Sequence, residues 1–277
     1  MRFCLSLFVL SLFPLLSTAA DAEELIKAAR GQLRKQNIEA ALKSAEEAVK
    51  ADPKNPAAFL IRGDVQAFLR KHTEALKDYE SAIQLDKSFV VAVDRRGGER
   101  FKLGMVKESI EDFDAFLKQN PKEEPGHWRR GISYYYVGKF TEGAKQFDDG
   151  RVVFGNDVEN AFWHWLCLSR KDGVEKATKT ILKVGEDTRV PMMKIYDLIL
   201  GKIKPAEVIE TAEKAKLEEA DKNEALFYAN LYVGLYYEAN GNAAKCKEHL
   251  TTAVEKHKIS HYMWDVGNVH VQMLKKK

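Results

Sequence analysis

Histidine is the residue type in this chain best suited to metal binding or general acid–base chemistry, and there are seven. His257 and His261 are four residues apart, the spacing at which zinc proteases place two ligands on one helix face with a glutamate beside the first. Here the intervening residues are Lys-Ile-Ser, so the acid is missing, and the pair spans a predicted turn. His164 lies between two tryptophans, which is typical of a buried structural histidine. A metal-dependent or hydrolytic enzyme using these histidines is therefore kept only as an alternative.

Arginine–glycine pairs recur at a step of 34 residues. They are Arg62-Gly63, Arg96-Gly97 and Arg130-Gly131. Repeated arginines could form an anion site, but Asp78 and Asp112 follow the first two at the same distance. Because a guanidinium–carboxylate pair satisfies both charges, we interpret these as structural pairs. The matching position after Arg130 is Gln146, so Arg130 is expected to pair with Asp112 or to be free for a ligand.

Composition and motifs favour neither an enzyme nor a nucleic-acid-binding protein. The chain contains no Gly-x-Ser-x-Gly motif, no phosphate-binding Gly-Lys-Ser/Thr loop and no glycine-rich dinucleotide turn. Its formal net charge is +3, or +2 without Arg2, when 43 basic residues face 41 acidic ones. Nucleic-acid binding requires a clustered basic face instead. We therefore expect a non-enzyme without cofactor or metal.

The 34-residue step also organises the elements that would position these side chains. Four repeats run over 22–55, 56–89, 90–123 and 124–157. Small residues recur at position 8 of the repeat, as Ala29, Gly63, Gly97 and Gly131. Bulky apolar residues recur at position 24, as Tyr79, Phe113 and Phe147. This period and this small–large pattern resemble the tetratricopeptide repeat (TPR) family, in which each unit is a helix–turn–helix hairpin.

The resemblance covers about 22–157 and returns over 227–260, where Gly234 and Leu250 recover positions 8 and 24. It implies an all-α fold, a right-handed superhelical solenoid of TPR hairpins. A final helix, His261 to Leu274, is expected to cap the stack, with Trp264 and Met273 against its open end.

Four segments follow from this organisation. They are a signal peptide (1–20), four TPR units (21–157), irregular helical hairpins (158–226), and a TPR-like unit with capping helix and basic tail (227–277). Within the irregular segment, helices are expected near 174–184, 191–201 and 205–220. Prolines stand at the starts of the second and third of these helices.

The first twenty residues have the pattern of a secretory signal peptide: Arg2, an apolar stretch, and a small-residue region ending at Ala20. Cleavage after Ala20 or Ala22 is expected, giving a secreted or periplasmic protein. The apolar stretch is short for a membrane span, so no stable membrane insertion is expected. Cys4 is misplaced for lipid anchoring. Cys167 and Cys246 are expected to be buried free thiols, with a disulfide as the alternative.

The TPR resemblance implies that a concave wall, lined mainly by the first helix of each hairpin, holds peptide or helical segments of partner proteins. The wall and neighbouring positions assigned to partner binding are Arg34, Phe68, Phe101, Trp128, Arg130, Ile132, Tyr135 and Tyr136. Trp128 and Tyr135 are expected to be exposed, because aromatic anchors dominate such interfaces. The function expected is a non-catalytic scaffold or adaptor. A purely structural homo-oligomer is the other alternative.

The order of these parts is similar to that of the NlpI family of bacterial envelope proteins, most clearly over 231–241, Leu-Tyr-Val-Gly-Leu-Tyr-Tyr-Glu-Ala-Asn-Gly. Members are dimeric scaffolds that bring cell-wall hydrolases and a protease together, so this resemblance implies a homodimer and envelope enzymes as partners. The present chain lacks their lipidation cysteine.

Overall fold

The computed structural model describes residues 19–276, and within that range the regular structure is entirely helical. By its internal contacts the chain divides into two compact units between Phe89 and Val90. We call the described parts unit 1 (19–89) and unit 2 (90–276). Residues 1–18, which form most of the expected signal peptide, lie outside the described residues, so export stays a prediction.

Unit 1 consists of two helical hairpins. They are α1 (Ala19–Arg34) with α2 (Ile38–Ala51), and α3 (Pro56–Phe68) with α4 (His72–Leu85). Asn55 fixes the start of α3, because its side chain accepts the backbone N–H of Ala57 at 2.9 Å and proline suits the first helical position. In both hairpins the turn passes through a left-handed residue, Gln36 (φ 58°) or Arg70 (φ 59°). Glycine occupies the same place in three hairpins of unit 2, as Gly104, Gly138 and Gly241.

Unit 2 contains the remaining helices. They are α5 (Val90–Lys102), α6 (Val106–Gln119), α7 (Trp128–Tyr136), α8 (Phe140–Asp149), α9 (Val158–Asp172), α10 (Val174–Lys179), α11 (Met192–Ile199), α12 (Pro205–Lys214), α13 (Glu219–Ala239), α14 (Ala243–Lys256) and α15 (Tyr262–Lys275). The apolar sequence of α9 agrees with its position in the core, where Trp163 and Trp165 are among the largest fully buried side chains. The helix expected over 205–220 is interrupted after Lys214, and α13 begins at Glu219.

The small–large pattern of the repeats corresponds to direct contacts inside each hairpin. A Cβ atom on the glycine would stand 2.7–2.8 Å from a side chain of the following helix, Gly63 against Tyr79, Gly97 against Phe113, Gly131 against Phe147 and Gly234 against Leu250. Real Cβ contacts are longer, so only glycine lets the helices approach this closely. The predicted TPR hairpins are thus confirmed, as is the all-α fold class.

Helix α15 packs on α14, as a capping helix should, and it also contacts α5. The side chain of Trp264 is half-buried, and its indole N–H donates to the Val254 carbonyl of α14 at 3.1 Å. Met273 is exposed. The contact with α5 was not predicted. It brings α15 over part of the expected binding wall.

Both cysteines within the described residues, Cys167 and Cys246, are free and buried, as expected from their apolar surroundings. Burial raises the pKa of the Cys167 thiol far above its usual value, so this thiol stays protonated and unreactive. None of the helices in residues 19–276 has the length and apolar character needed to cross a bilayer.

Candidate partner-binding surfaces

Two of the repeated arginines are held by aspartates of their own hairpins. Arg62 donates from Nε and Nη2 to the carboxylate of Asp78, at 2.8 and 2.6 Å. Arg96 binds Asp112 in the same way, at 3.0 and 2.7 Å. Both aspartates are buried. The predicted structural pairing is confirmed, and these guanidinium groups are engaged within the fold.

Arg130 finds different partners from the one expected. Its Nε donates to Gln146 Oε1 at 2.8 Å, while Nη1 and Nη2 reach Asp114 and Glu124 at 3.0 and 2.7 Å. The expected pairing with Asp112 is wrong, because that carboxylate is already bound within its own hairpin. With its side chain only 11% exposed, Arg130 does not offer the free guanidinium that was expected for partner binding.

In unit 2, helix α15 covers much of the predicted concave wall. The ring of Tyr262 lies 5.7 Å from that of Phe101 and 5.3 Å from that of Trp128, measured between centroids. The Tyr136 hydroxyl donates to the Val266 carbonyl at 3.3 Å. Phe101, Trp128 and Tyr136 therefore pack against the protein's own helix, which corrects the expectation that they face a partner. Trp128 is half-buried rather than exposed.

The other two wall residues of α7 are core residues. Ile132 is 1% exposed and Tyr135 is 4% exposed, so the expected exposure of Tyr135 is wrong. The Tyr135 hydroxyl donates to Glu238 at 2.5 Å and accepts from Arg170 at 3.2 Å. Burial raises the pKa of Tyr135 well above its usual value. The residue is fixed between α7, α9 and α13.

In unit 1 the predicted wall forms an open groove of about 630 Å³ between α1 and α3, which we call the α1–α3 groove. Its lining residues are Glu23, Glu24, Ile26, Lys27, Arg30, Leu33, Arg34, Ile61 and Asp64. Arg34 was predicted to bind a partner and lies in this groove. Phe68, the other predicted residue of unit 1, is 49% exposed but is not part of the groove lining.

Three cations lie along the α1 side of this groove. Lys27, Arg30 and Arg34 are three and four residues apart, so the helix places them on one face, and all three are exposed. Among residues 19–276 they have no hydrogen bond or ion pair, in contrast to the repeated arginines. The half-buried side chain of Leu33 supplies apolar surface beside them, above the buried Ile26 and Ile61. The lining also contains three acids, of which Glu23 accepts from Asn55 at 3.0 Å and Asp64 from Tyr79 at 2.9 Å. The groove thus combines an apolar floor with a row of unpaired cations on its α1 side.

The three histidines of the enzyme alternative have structural surroundings. His164 is buried, and burial lowers its pKa. His257 Nδ1 lies 3.1 Å from Asn223 Oδ1, and His261 Nδ1 lies 3.2 Å from the Tyr228 hydroxyl. Within the described part of the chain, no three His, Cys, Asp or Glu side chains are grouped so that they could hold a metal ion.

A second concave feature lies within unit 2, a cavity of about 170 Å³ that we call the Trp128–Trp163 cavity. Its apolar lining residues are Trp128, Ile132, Phe147, Phe154, Trp163 and Met263, and its polar ones are Asp157, Glu159, Asn160, Arg189 and His261. The polar set was missed in the sequence. The one local signal was Asp-x-Glu-Asn at 157–160, a polar start to an otherwise apolar helix.

Glu159 is the most perturbed acid of this cavity. Burial, followed by the nearby charge of Asp157, raises its pKa to about 7, although the Tyr232 hydroxyl and Arg189 both stabilise the charged form. Tyr232 donates a hydrogen bond to one carboxylate oxygen, and Arg189 Nη1 donates to the other at 2.8 Å. Desolvation outweighs these partners because the carboxyl lies deep between α9 and α13.

This shift predicts that Glu159 destabilises the protein as pH rises. Between pH 4.5 and 7 the folded state holds a proton that the unfolded chain has released, so stability contributed by the neutral acid is lost as pH increases. The loss amounts to about 3 kcal/mol. Glu159→Gln should match the wild type in urea unfolding at pH 5 and exceed it at pH 8. Glu186→Gln, at an exposed site, is the control; a pH-independent difference for Glu159→Gln would contradict the prediction.

Comparison with known proteins gives a family match for part of unit 1 and a fold for most of the chain. Residues 26–88 match the family model described as tetratricopeptide repeat. Among solved structures, a tetratricopeptide repeat protein from Parabacteroides merdae is similar with 16% identity and a TM-score of 0.57, over 92% of this chain and 99% of that one. PilW, a type IV pilus biogenesis factor, is similar with 16% identity and a TM-score of 0.53, over 92% and 98%. MamA is similar with 15% identity and a TM-score of 0.53, over 73% of this chain and 98% of that one.

No curated protein sequence matches the chain. Structural identities of this size establish the fold and nothing about partners, and the narrower resemblance to the NlpI family stays a prediction. The family match over residues 26–88, the glycine contacts inside the hairpins and the fold of these neighbours together show a chain built from helical hairpins of the tetratricopeptide repeat type.

Proposed function

We propose that this protein is a non-catalytic scaffold that holds an acidic peptide segment of a partner protein in the α1–α3 groove. The observation that carries the proposal is the row of unpaired cations, Lys27, Arg30 and Arg34, beside an apolar floor. Acidic side chains would pair with the row, and apolar side chains between them would contact Leu33. In unit 2, by contrast, several residues of the corresponding wall contact α15.

The proposed site of action is the periplasm or an equivalent exported space, which is supported by the signal-peptide pattern of residues 1–20. Envelope enzymes are the partners that the NlpI-like organisation favours, and a homodimer would present two such grooves. Protein binding is also what TPR arrays are built for, since stacked hairpins form extended concave surfaces.

The charge-reversal variant Arg30→Glu/Arg34→Glu should lower the affinity for a directly bound acidic partner about tenfold, because two attractive contacts become repulsive. Partners would be captured from the exported fraction with residues 21–277 as bait, identified by mass spectrometry, and then titrated as purified proteins. Affinity should also fall as salt increases, since exposed charges are screened.

Lys43→Glu/Lys50→Glu is the matched control, because it makes the same change in net charge at exposed positions of α2 outside the groove. Equal loss of affinity in both variants would show that only the net charge of the protein matters. A photo-crosslinking residue at position 34 that yields no adduct with a bound partner would place the binding site elsewhere.

A further inference from the structure

The Trp128–Trp163 cavity has the size and lining of a small-ligand site. Its volume of about 170 Å³ is close to that of an engineered apolar cavity of about 150 Å³ that holds benzene, so it has room for about six non-hydrogen atoms. Aromatic side chains form much of its wall, including Trp128, Phe147, Phe154 and Trp163. Exposed residues Arg189 and His261 also line it, so it is reached from the surface.

The polar end of the cavity carries more carboxylates than cations. Arg189 donates to Asp157 at 2.8 Å, to Glu159 at 2.8 Å and to Asp187 at 2.7 Å. One guanidinium thus serves three acids. His261 is exposed as a residue, but desolvation of its ring lowers its pKa, so it adds no positive charge at neutral pH. Above pH 7, where Glu159 is ionised, a ligand with a positive charge would compensate this excess, and the aromatic faces would attract the same charge.

An unpartnered donor gives independent evidence for a ligand. Trp163 is 1% exposed, and its indole N–H has no hydrogen-bond partner among residues 19–276. Buried donors are nearly always paired, since leaving one unpaired costs about 1–3 kcal/mol. Trp163 lines the cavity, so a small shift of its ring would bring this buried N–H to an oxygen acceptor on a bound ligand.

We propose that the Trp128–Trp163 cavity binds a small organic cation, an ammonium or guanidinium group on a short apolar stem that also carries an oxygen acceptor. The cation lies toward Asp157 and Glu159, the stem packs between the aromatic rings, and the acceptor reaches the Trp163 indole. Two sources have this chemistry: a free amine, or a lysine or arginine side chain of a bound protein with its backbone carbonyl. The proposal does not depend on the α1–α3 groove.

The test uses the full chain at pH 8, where the Glu159 carboxyl is ionised, with 4-aminobutan-1-ol as the probe. This molecule has six non-hydrogen atoms, one ammonium and one hydroxyl. 1,4-Butanediol is its neutral isostere. Calorimetric titration should give millimolar binding of the amine, as expected for so few atoms, and at least tenfold weaker binding of the diol. The indole N–H resonance of Trp163, assigned with Trp163→Phe, should shift on binding.

Glu159→Gln should weaken binding of the amine about tenfold, while Glu186→Gln, outside the cavity, should not. Tighter binding of N-acetyl-lysine methylamide than of the amino alcohol would identify a protein side chain as the natural ligand. Tighter binding of the amino alcohol would identify a free amine. Equal binding of amine and diol, or an unshifted Trp163 resonance, would overturn the proposal. The comparison of amine with diol needs no variant, so it holds even if Glu159→Gln does not fold.

Discussion

Replacing Asp94 with asparagine is expected to lower the free energy of unfolding of unit 2 by about 3–5 kcal/mol, the cost of breaking a buried ion pair. Asp94 on α5 is 6% exposed. It accepts two hydrogen bonds from Arg129 Nη2, at 2.9 and 2.8 Å, and one from His127 at 2.9 Å. Asparagine would leave the Arg129 guanidinium half-buried without its countercharge. The carboxylate therefore ties α5 to the first turn of α7.

The geometry also defines the histidine tautomer. His127 Nδ1 accepts the backbone N–H of Arg130 at 3.4 Å, as the cap of α7, so Nε2 carries the proton that is donated to Asp94. Burial would raise the pKa of Asp94, but the hydrogen bond from His127 and the charge of Arg129 outweigh it and lower the pKa to about 2. The resulting stability is present above pH 3.8 and is lost as pH falls through 2, about 2 kcal/mol in all.

Tryptophan fluorescence during urea unfolding measures this effect, because all four tryptophans belong to unit 2. The difference between wild type and Asp94→Asn should be largest at pH 7 and should shrink toward pH 2. Asp114→Asn is the control, since Asp114 is half exposed in its ion pair with Arg130 and such pairs contribute about 0–1 kcal/mol. If the two variants lose equal stability, the Asp94–Arg129 pair contributes no more than a surface ion pair, and the interpretation that it ties α5 to α7 is wrong.

The hairpins could be predicted from the sequence because their determining contacts are local. The glycine at position 8 and the ring at position 24 are sixteen residues apart, as with Gly97 and Phe113, and the same close contact recurs in successive hairpins. This recurring contact therefore appears in the sequence as a 34-residue period. The pairing of Arg96 with Asp112 could be predicted for the same reason, since both residues move with the repeat.

The state of the binding wall could not be predicted in this way. Tyr136 contacts α15 through Val266, a residue 130 positions away, and no repeat pattern encodes a contact made once. The surface expected for a partner was inferred from the position of each residue within its own hairpin. Arg34 does line an open groove in unit 1, and its role in partner binding stays a prediction. For Phe101 and Tyr136 the inference fails, because α15 covers the wall.

The Trp128–Trp163 cavity depends on contacts of the same kind. Arg189 reaches Glu159 across 30 positions of irregular sequence, outside the regular repeats. The break between α12 and α13 was missed because no glycine or proline marks it. In residues 158–226 the helices lie roughly where they were expected. The elements that they pack against could not be predicted, because those contacts are long-range and occur only once.

Tyr262 gives the second large effect, and its two substitutions should act in opposite directions. Tyr262→Ala is expected to destabilise unit 2 by about 3 kcal/mol, the lower end of the range for buried rings, because Tyr262 is half-buried. The ring packs against Phe101 and Trp128, and Lys102 Nζ lies 5.3 Å from its centroid. Losing it should also loosen α15 and expose the wall beneath, so binding of a hydrophobic dye should increase.

Tyr262→Phe keeps these ring contacts and removes a buried hydroxyl that has no hydrogen-bond partner among residues 19–276. Because an unsatisfied buried polar group costs about 1–3 kcal/mol, the phenylalanine variant should be about 1 kcal/mol more stable than the wild type, with unchanged dye binding. Met273→Ala, at an exposed position of α15, should change neither property. A Tyr262→Phe variant as unstable as Tyr262→Ala would mean that the hydroxyl, rather than the ring, holds α15 on α5 and α7. Alanine is expected to lower the stability and phenylalanine to raise it. These opposite signs would show that aromatic packing closes this wall, and that a helix of the same chain supplies the rings.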